Sequence, residues 1–331
     1  MKHLSERSII SMVKGMQPPL AEGFFGIGDD AALLPANPQG WLVSQDMLVE
    51  GVHFRRDWST PWQVGVKAAQ VNLSDIAAMA GCPRAALTSL AVPPSTTPQF
   101  VESLYQGLTD AFRPYGVVVV GGDTVASPDR IVLDVAILGT PSPQGIAWRR
   151  GAQPGDHILV SGNLGSSRAG LELLRQGARW PGKDSDENEA LRAHLTPQGR
   201  VALGAALAGW VHAMTDVSDD LAVEIAALVE DESLGADVWI EKLPISKGTR
   251  AIAGRLGAPP EWWALFGGED YELLMLAPPA NLARVLMIGA ECGVSMTEIG
   301  VVRADGRICW LNQGRPMSLP EEGLAFDHFS P

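Results

Sequence analysis

Val117-Val118-Val119-Val120-Gly121-Gly122-Asp123-Thr124 is the stretch on which the fold turns. Four consecutive β-branched residues followed by turn formers read as a short strand buried on both faces. The two glycines and the acid after it would set a carboxylate at the strand's carboxyl end, where open α/β sheets bind ligands. Upstream, Pro98 to Tyr115 reads as a helix and residues 84–91 as a strand. Before them, Thr60-Pro61-Trp62-Gln63 combines an N-cap Thr, a first-turn Pro and a capping-box Gln, which opens a helix that Gly81 is expected to stop. Residues 41–46 read as a strand ending in Asp46.

Downstream, the alternation over residues 130–139 predicts one more strand, and Pro141 to Gly155 is a polar, Gly- and Pro-rich connection. The domain boundary is placed there, giving domains 1–145 and 146–331. The second half restarts with a strand from His157 to Ser161 and a helix after Gly165. An acidic loop near 180–190, a helix from Pro197, and a helix begun by Asp219 with Leu221, Ile225 and Leu228 at helical spacing follow. Strands and helices of similar length thus alternate throughout, the signature of an α/β or α+β protein with two domains.

The chain has 331 residues, 46% of them hydrophobic, enough for a core in each domain. A formal net charge of −13 opposes polyanion binding, and basic residues cluster at most in pairs such as Arg55-Arg56 and Arg149-Arg150. No nucleic-acid partner is expected. With no long apolar run, membrane insertion is not expected either. Three cysteines without C-x-x-C spacing suit a reducing compartment, so the cytoplasm is the expected location.

Chemistry is carried by acidic residues in short polar breaks: Asp29-Asp30, Asp46, Asp75, Asp123, and Asp216 with Asp219 and Asp220. Singly, each has a plain explanation as a turn residue, a solvated helix position or an N-cap. Together they suggest a dispersed Mg²⁺ cage, since Mg²⁺ prefers oxygen ligands shared between carboxylates and phosphates, which points to phosphoryl transfer. Asn72, Ser74 and Asp75 strengthen this reading, because they interrupt an otherwise apolar helix and require buried polar partners. Two nucleotide motifs are near misses. Gly26-Ile27-Gly28-Asp29-Asp30-Ala31 satisfies G-x-G-x-x-A but follows no strand and carries two carboxylates where a pyrophosphate would approach, and Gly177 to Asp184 lacks the Ser or Thr of a P-loop. His53 reads equally as a structural or a ligand-facing histidine, and Tyr105 as core packing or a ring stacked on a planar ligand.

Six segments, in order, resemble the signature set of the thiamine-monophosphate kinase family: Gly26 to Ala31, Ser44-Gln45-Asp46, Val52-His53-Phe54, Lys67-Ala68 with Val71 to Met79, Gly121 to Thr124, and Gly267-Gly268-Glu269-Asp270-Tyr271-Glu272-Leu273. Asp327-His328-Phe329 resembles the family's closing segment. The resemblance runs nearly end to end. It implies the two-domain fold of the aminoimidazole ribonucleotide synthetase superfamily, with an N-terminal α/β domain that dimerises through its sheet and a C-terminal α/β domain that completes the active site. It further implies an enzyme that phosphorylates thiamine monophosphate to thiamine diphosphate with ATP and several Mg²⁺ ions, as a homodimer.

By the same resemblance Asp30, Ser44, Asp46, Asp75, Asp123, Asp216 and Asp219 are metal ligands. Gln45, where the family often has Thr, would serve only through its carbonyl. Tyr105, Gly122, Asp123, Arg149 and Ser218 match nucleotide contacts, and His53, Glu269 and Phe326 match the thiamine phosphate site. The chain departs from the family at Asp220, where Gly is usual. The alternatives are another ATP-dependent member of the superfamily, of the purine-synthesis or selenophosphate type, or a catalytically silent nucleotide or metal sensor. The lack of a reactive N-terminal Cys weighs against selenide chemistry.

Overall fold

The computed structural model describes residues 6–19, 22–23, 27, 34–230 and 233–319, with side chains from Ile9 onward. The chain divides into two compact units, Met1–Ile76 with Gly81–Pro141, and Ala77–Ala80 with Ser142–Pro331.

The first unit contains helix α1 (Glu6–Met16), strand β1 (Leu42–Val49), helix α2 (Pro61–Ala78, whose last two residues fall to the second unit), strand β2 (Gly81–Val92), helix α3 (Pro98–Phe112) and strands β3 (Val118–Ala126) and β4 (Val132–Pro141). The sheet order is β1-β4-β2-β3, with only β2 and β3 parallel. The capping box at the start of α2 forms as the sequence predicts: the Gln63 amide donates to Thr60 Oγ1 at 3.2 Å, and the Thr60 amide to Gln63 Oε1 at 2.8 Å. The stop differs. Ala80, in the left-handed conformation with φ 54°, makes the turn, and Gly81 already begins β2.

Alternation along β1 separates two faces. Leu42 and Leu48 are buried and Ser44 and Asp46 lie between them, whereas Val43 and Met47 point outward at 66% and 51% exposure. Helix α2 covers the first face, because Ile76 and the Leu42 side chain both close on Gly81. β3 is longer than expected. It continues through Gly121, Gly122 and Asp123, with a register shift opposite Ala86 and Leu87, so Asp123 sits inside a strand rather than at its end. A run of valines reveals a strand but not how far its partner's hydrogen bonds extend it past glycine.

The second unit contains β5 (His157–Ser161), α4 (Ser166–Arg175), α5 (Ser185–Leu195), α6 (Val201–Leu207), β6 (Ala213–Asp216), α7 (Leu221–Glu230), β7 (Gly235–Trp239), α8 (Lys247–Leu256), α9 (Pro260–Phe266), β8 (Leu273–Ala277), α10 (Leu282–Glu291), β9 (Met296–Arg303), β10 (Ile308–Asn312) and β11 (Arg315–Pro316). Its sheet order is β11-β10-β7-β9-β5-β8-β6, antiparallel except for β10 and β7. Ile158, Val160, Leu274 and Leu276 from its middle strands pack with Ile225, Leu228 and Val238 into one core. Both sheets are mainly antiparallel, so the α+β form of the expectation describes the chain. The acidic stretch at 180–190 is not wholly a loop: Asp184 caps α5 by accepting from the Glu187 amide at 2.8 Å, and Asp186 and Glu187 occupy its first turn. Negative charge there suits the helix dipole. Among the described residues, no helix is long and apolar enough to cross a membrane.

Helices α2 and α3 cross at two glycines, Gly65 and Gly107. A Cβ on Gly65 would stand 1.9 Å from the Leu104 carbonyl oxygen, and one on Gly107 2.0 Å from that of Trp62. Gly254, inside α8, has nothing within 4 Å of such an atom. Gly65→Ala is therefore expected to cost about 1–3 kcal/mol by overpacking, whereas Gly254→Ala should gain about 0.5–1 kcal/mol from helix propensity. Urea unfolding midpoints of the two variants check both signs.

Candidate active site

In the first unit the polar interruption of α2 finds the partners that burial demands. Asn72, fully buried, donates through Nδ2 to the Ala68 carbonyl at 2.9 Å and accepts the Asp46 amide at 3.2 Å on Oδ1. Ser44 Oγ donates to Asp75 Oδ2. The N-x-S-D spacing thus pins β1 to α2 and sets Ser44, Asp46 and Asp75 around one seam. Gln45 points the other way and donates to Asp134 Oδ2 at 2.8 Å on the outer face, so its side chain is taken out of any ligand set shared with its neighbours.

The structure does not bring Asp123 to that seam. Asp123 pairs in register with Ser89; both are exposed, and its Oδ1 accepts the amide of its own neighbour Thr124 at 2.8 Å. Gly122, at φ 151°, is obligatory, since a Cβ there would lie 1.8 Å from the Thr88 carbonyl oxygen. Tyr105 is 2% exposed and its hydroxyl meets Thr88 Oγ1 at 3.2 Å. Burial pushes its pKa up, and the Thr88 hydrogen bond partly offsets this. Tyr105 is thus a core residue that reaches the Gly122 turn through Thr88. His53 accepts the Val49 amide on Nδ1 at 3.0 Å, which leaves the proton of the neutral ring on Nε2, and its carbonyl accepts from Lys67 Nζ at 3.2 Å. Asp30 and Phe326 lie outside the described residues.

In the second unit two loops are zipped together. The Val217 amide donates to the Glu272 carbonyl at 2.8 Å, Tyr271 to Val217 at 2.9 Å and Glu269 to Ser218 at 2.7 Å. Gly268 packs so closely that a Cβ would lie 2.1 Å from the Asp219 carbonyl oxygen. Asp216 ends β6 at 1% exposure, while Asp219 is exposed. The N-cap of α7 is not Asp219 but Asp220, which accepts the Val223 amide at 2.7 Å. This gives the Asp220 carboxylate a structural role: it satisfies an end-of-helix donor. Burial raises the Asp220 pKa.

Glu224, Arg200 and His194, which no motif announced, stand beside predicted site and motif residues. Arg149 Nη2 stands 3.3 Å from Oε2 of buried Glu224, which also accepts from Thr215 Oγ1 at 3.0 Å. Arg200 grips Glu272 through Nε at 2.7 Å and Nη2 at 2.5 Å, and Ser161 Oγ donates to the same carboxylate at 2.5 Å. His194, 5% exposed, approaches Glu269. Each is a lone residue in its segment, and only its partner in the folded chain, invisible in sequence, marks it. Asp270 accepts the Gly165 amide at 2.7 Å and the Ser167 amide at 3.2 Å, capping α4. Burial pushes its pKa up to about 7 against the pull of those amides. It borders a cleft of about 310 Å³ with Arg192, Arg200, Glu189 and Ser295.

Among the described residues, no three histidine, cysteine or carboxylate side chains are grouped closely enough to hold a metal. The donors that are present fit Mg²⁺ in kind: Ser44 and Asp75 offer adjacent oxygens, and neither sulfur nor imidazole stands among the predicted ligands.

Residues 28–140 match the AIR synthase related protein, N-terminal domain, family, and residues 153–309 its C-terminal domain counterpart. The thiamine-monophosphate kinase of Bacillus subtilis (strain 168) is 33% identical over 308 residues, covering 92% of this chain and 93% of that protein. That of Escherichia coli (strain K12) is 35% identical over 310 residues, covering 92% of each. Among solved structures, thiamine-monophosphate kinase from Stenotrophomonas maltophilia K279a superposes with a TM-score of 0.81 at 29% identity, covering 94% of this chain and 96% of that one. AaThiL complexed with AMPPCP and TMP gives 0.76 at 34% identity, covering 87% of each.

Because the folded state favours protonated Asp270 between the ordinary carboxyl range and about 7, it binds the extra proton there. Stability should therefore fall as pH rises from about 4 to about 7 and level off above, by on the order of a few kcal/mol. Denaturant titrations across this range should show that slope in the wild type and a flatter profile in Asp270→Asn.

Proposed function

Since this chain belongs to the thiamine-monophosphate kinase family, we propose that it transfers the γ-phosphoryl group of ATP in line to the phosphate of thiamine monophosphate, giving thiamine diphosphate and ADP, with several Mg²⁺ ions. The observation that carries this reading is the Ser44–Asp75 pair, with Asn72 fixing the Asp46 backbone. Asn72 and Asp75 stand in an otherwise apolar helix, where alanine would pack without the cost of burying a polar group. The relatives' names and the complex of AaThiL with AMPPCP and TMP support the choice of substrates.

The acceptor is a phosphate monoester, anionic at neutral pH, so no residue is assigned as general base. What the protein must supply is electrostatic: two anions have to meet. Mg²⁺, when bound, neutralises and orients the phosphate oxygens. Ser44, Asp46 and Asp75 would hold one such ion, with Asp30 and the Gln45 carbonyl, and Asp123, Asp216 and Asp219 are the candidates for further ions. Arg149, steered by Glu224, together with Ser218 and the open backbone of Gly122, would bind the nucleotide, with Tyr105 bracing Gly122 through Thr88. His53, Glu269 and Phe326 would take the acceptor, the carboxylate facing its cationic rings and the aromatic stacking on them.

We further propose a homodimer joined through the outer face of the first unit's sheet, where Val43, Met47, Leu87 and Val125 are 66%, 51%, 38% and 51% exposed. The cytoplasm suits three free cysteines, Cys82, Cys292 and Cys309.

Incubation with ATP, Mg²⁺ and a panel of phosphorylated vitamins and nucleotides, with products identified by mass, tests the activity. Thiamine diphosphate should form, and its absence alongside intact ATP would sink the proposal. Asp75→Asn should keep the fold and lower kcat by about a hundredfold or more. Light scattering should report a dimer for the wild type and a monomer for Met47→Glu.

A further inference from the structure

We propose that His194 is a positioning residue that holds the Glu269 carboxylate in the orientation that receives the acceptor. The proposal rests on the reading of Glu269 as an acceptor contact. Glu269 has a left-handed backbone, φ 56°, and its amide is committed to the Ser218 carbonyl at 2.7 Å. Its predecessor Gly268 has no room to shift against Asp219. The main chain is thereby fixed, but the carboxylate ends a side chain with three torsions and is 30% exposed. Such a side chain loses affinity to rotamer freedom unless its partners hold it.

His194 is one of those partners. Near the end of α5, with its side chain only 6% exposed, it sets Nδ1 3.2 Å from Glu269 Oε2. The pair is an ion pair when the imidazole is protonated, its two ring nitrogens then both carrying hydrogens and the carboxylate accepting. The same nitrogen lies 3.1 Å from Ser167 Oγ on α4. Ser167 also donates its amide to Asp270 Oδ1 at 3.2 Å, so the first turn of α4 meets Asp270 directly and Glu269 through His194. The imidazole is too buried to meet a ligand itself. Its effect has to pass through Glu269.

The test compares His194→Phe, which fills the space without a donor, with His194→Gln, which restores an N–H, each alone and combined with Glu269→Gln. KM for thiamine monophosphate, KM for ATP and kcat are measured on folded protein. His194→Phe should raise the acceptor KM about tenfold with the ATP KM within about twofold, and His194→Gln should recover most of the loss. In the Glu269→Gln background His194→Phe should add nothing, since both remove the same contact. If Phe prevents folding, His194→Asn, too short to reach Glu269, carries the same comparison. An unchanged acceptor KM in His194→Phe or its Asn substitute, or effects that simply add, overturns the proposal. If Glu269→Gln itself leaves the acceptor KM unchanged, it is the acceptor reading of Glu269 that falls.

Discussion

A polar side chain removed from water must be met by another polar group, and most of what is distinctive here follows from that demand. Helix α2 is buried nearly all round, yet it carries Gln63, Lys67, Gln70, Asn72 and Ser74 at 8% exposure or less. Each such group costs a few kcal/mol if left alone, so the neighbouring strand and loop must supply partners at fixed positions. Ser44 and the Asp46 amide on β1 and the His53 carbonyl provide them. The consequence is registration. β1 cannot slide by one residue along α2 without exchanging Ser44 and Asp46 for Val43, Gln45 and Met47, the outward set.

The second unit reaches the same end by backbone means. Three main-chain hydrogen bonds zip the Asp216–Asp220 loop to the Gly267–Glu272 segment, and a glycine at their closest approach lets them touch. Around this zipper four carboxylates have structural partners: Glu272 in Arg200 and Ser161, Asp270 in α4, Asp220 in α7, Glu224 in Thr215 and Arg149. Asp219, exposed and outside the cap, is the acid in this loop that faces solvent. Buried, hydrogen-bonded acids and exposed ones thus alternate over a few residues, a division that the folded chain makes visible and a row of letters does not.

Legibility followed the range of the interaction. The capping box at Thr60 and Gln63, β5 at His157–Ser161, and the need of Asn72, Ser74 and Asp75 for partners were readable, because each depends on residues within a turn or two or on a local excess of polarity. The C-terminal stop of α2, the extension of β3 through Asp123 and the helix at Ser185 were not. An alanine took the left-handed turn that a nearby glycine offered, β2 lent hydrogen bonds to a Gly-Gly pair, and an acidic run that reads as a solvated loop became a helix start once Asp184 capped it.

By itself the sequence determined the alternation of elements, the family and the acids that carry candidate chemistry, since these are properties of residue type and local spacing. Tertiary structure alone decided that the sheets are mainly antiparallel, that Gln45 turns from its neighbours, that Asp220 rather than Asp219 caps α7, and that Arg200 meets Glu272, Glu224 meets Arg149 and His194 approaches Glu269. These outcomes depend on which strand pairs with which and on which side chain loses its water. Such contacts join residues far apart in the chain, 111 positions between Ser161 and Glu272 and 141 between His157 and Glu298, and are settled only when the chain has closed on itself.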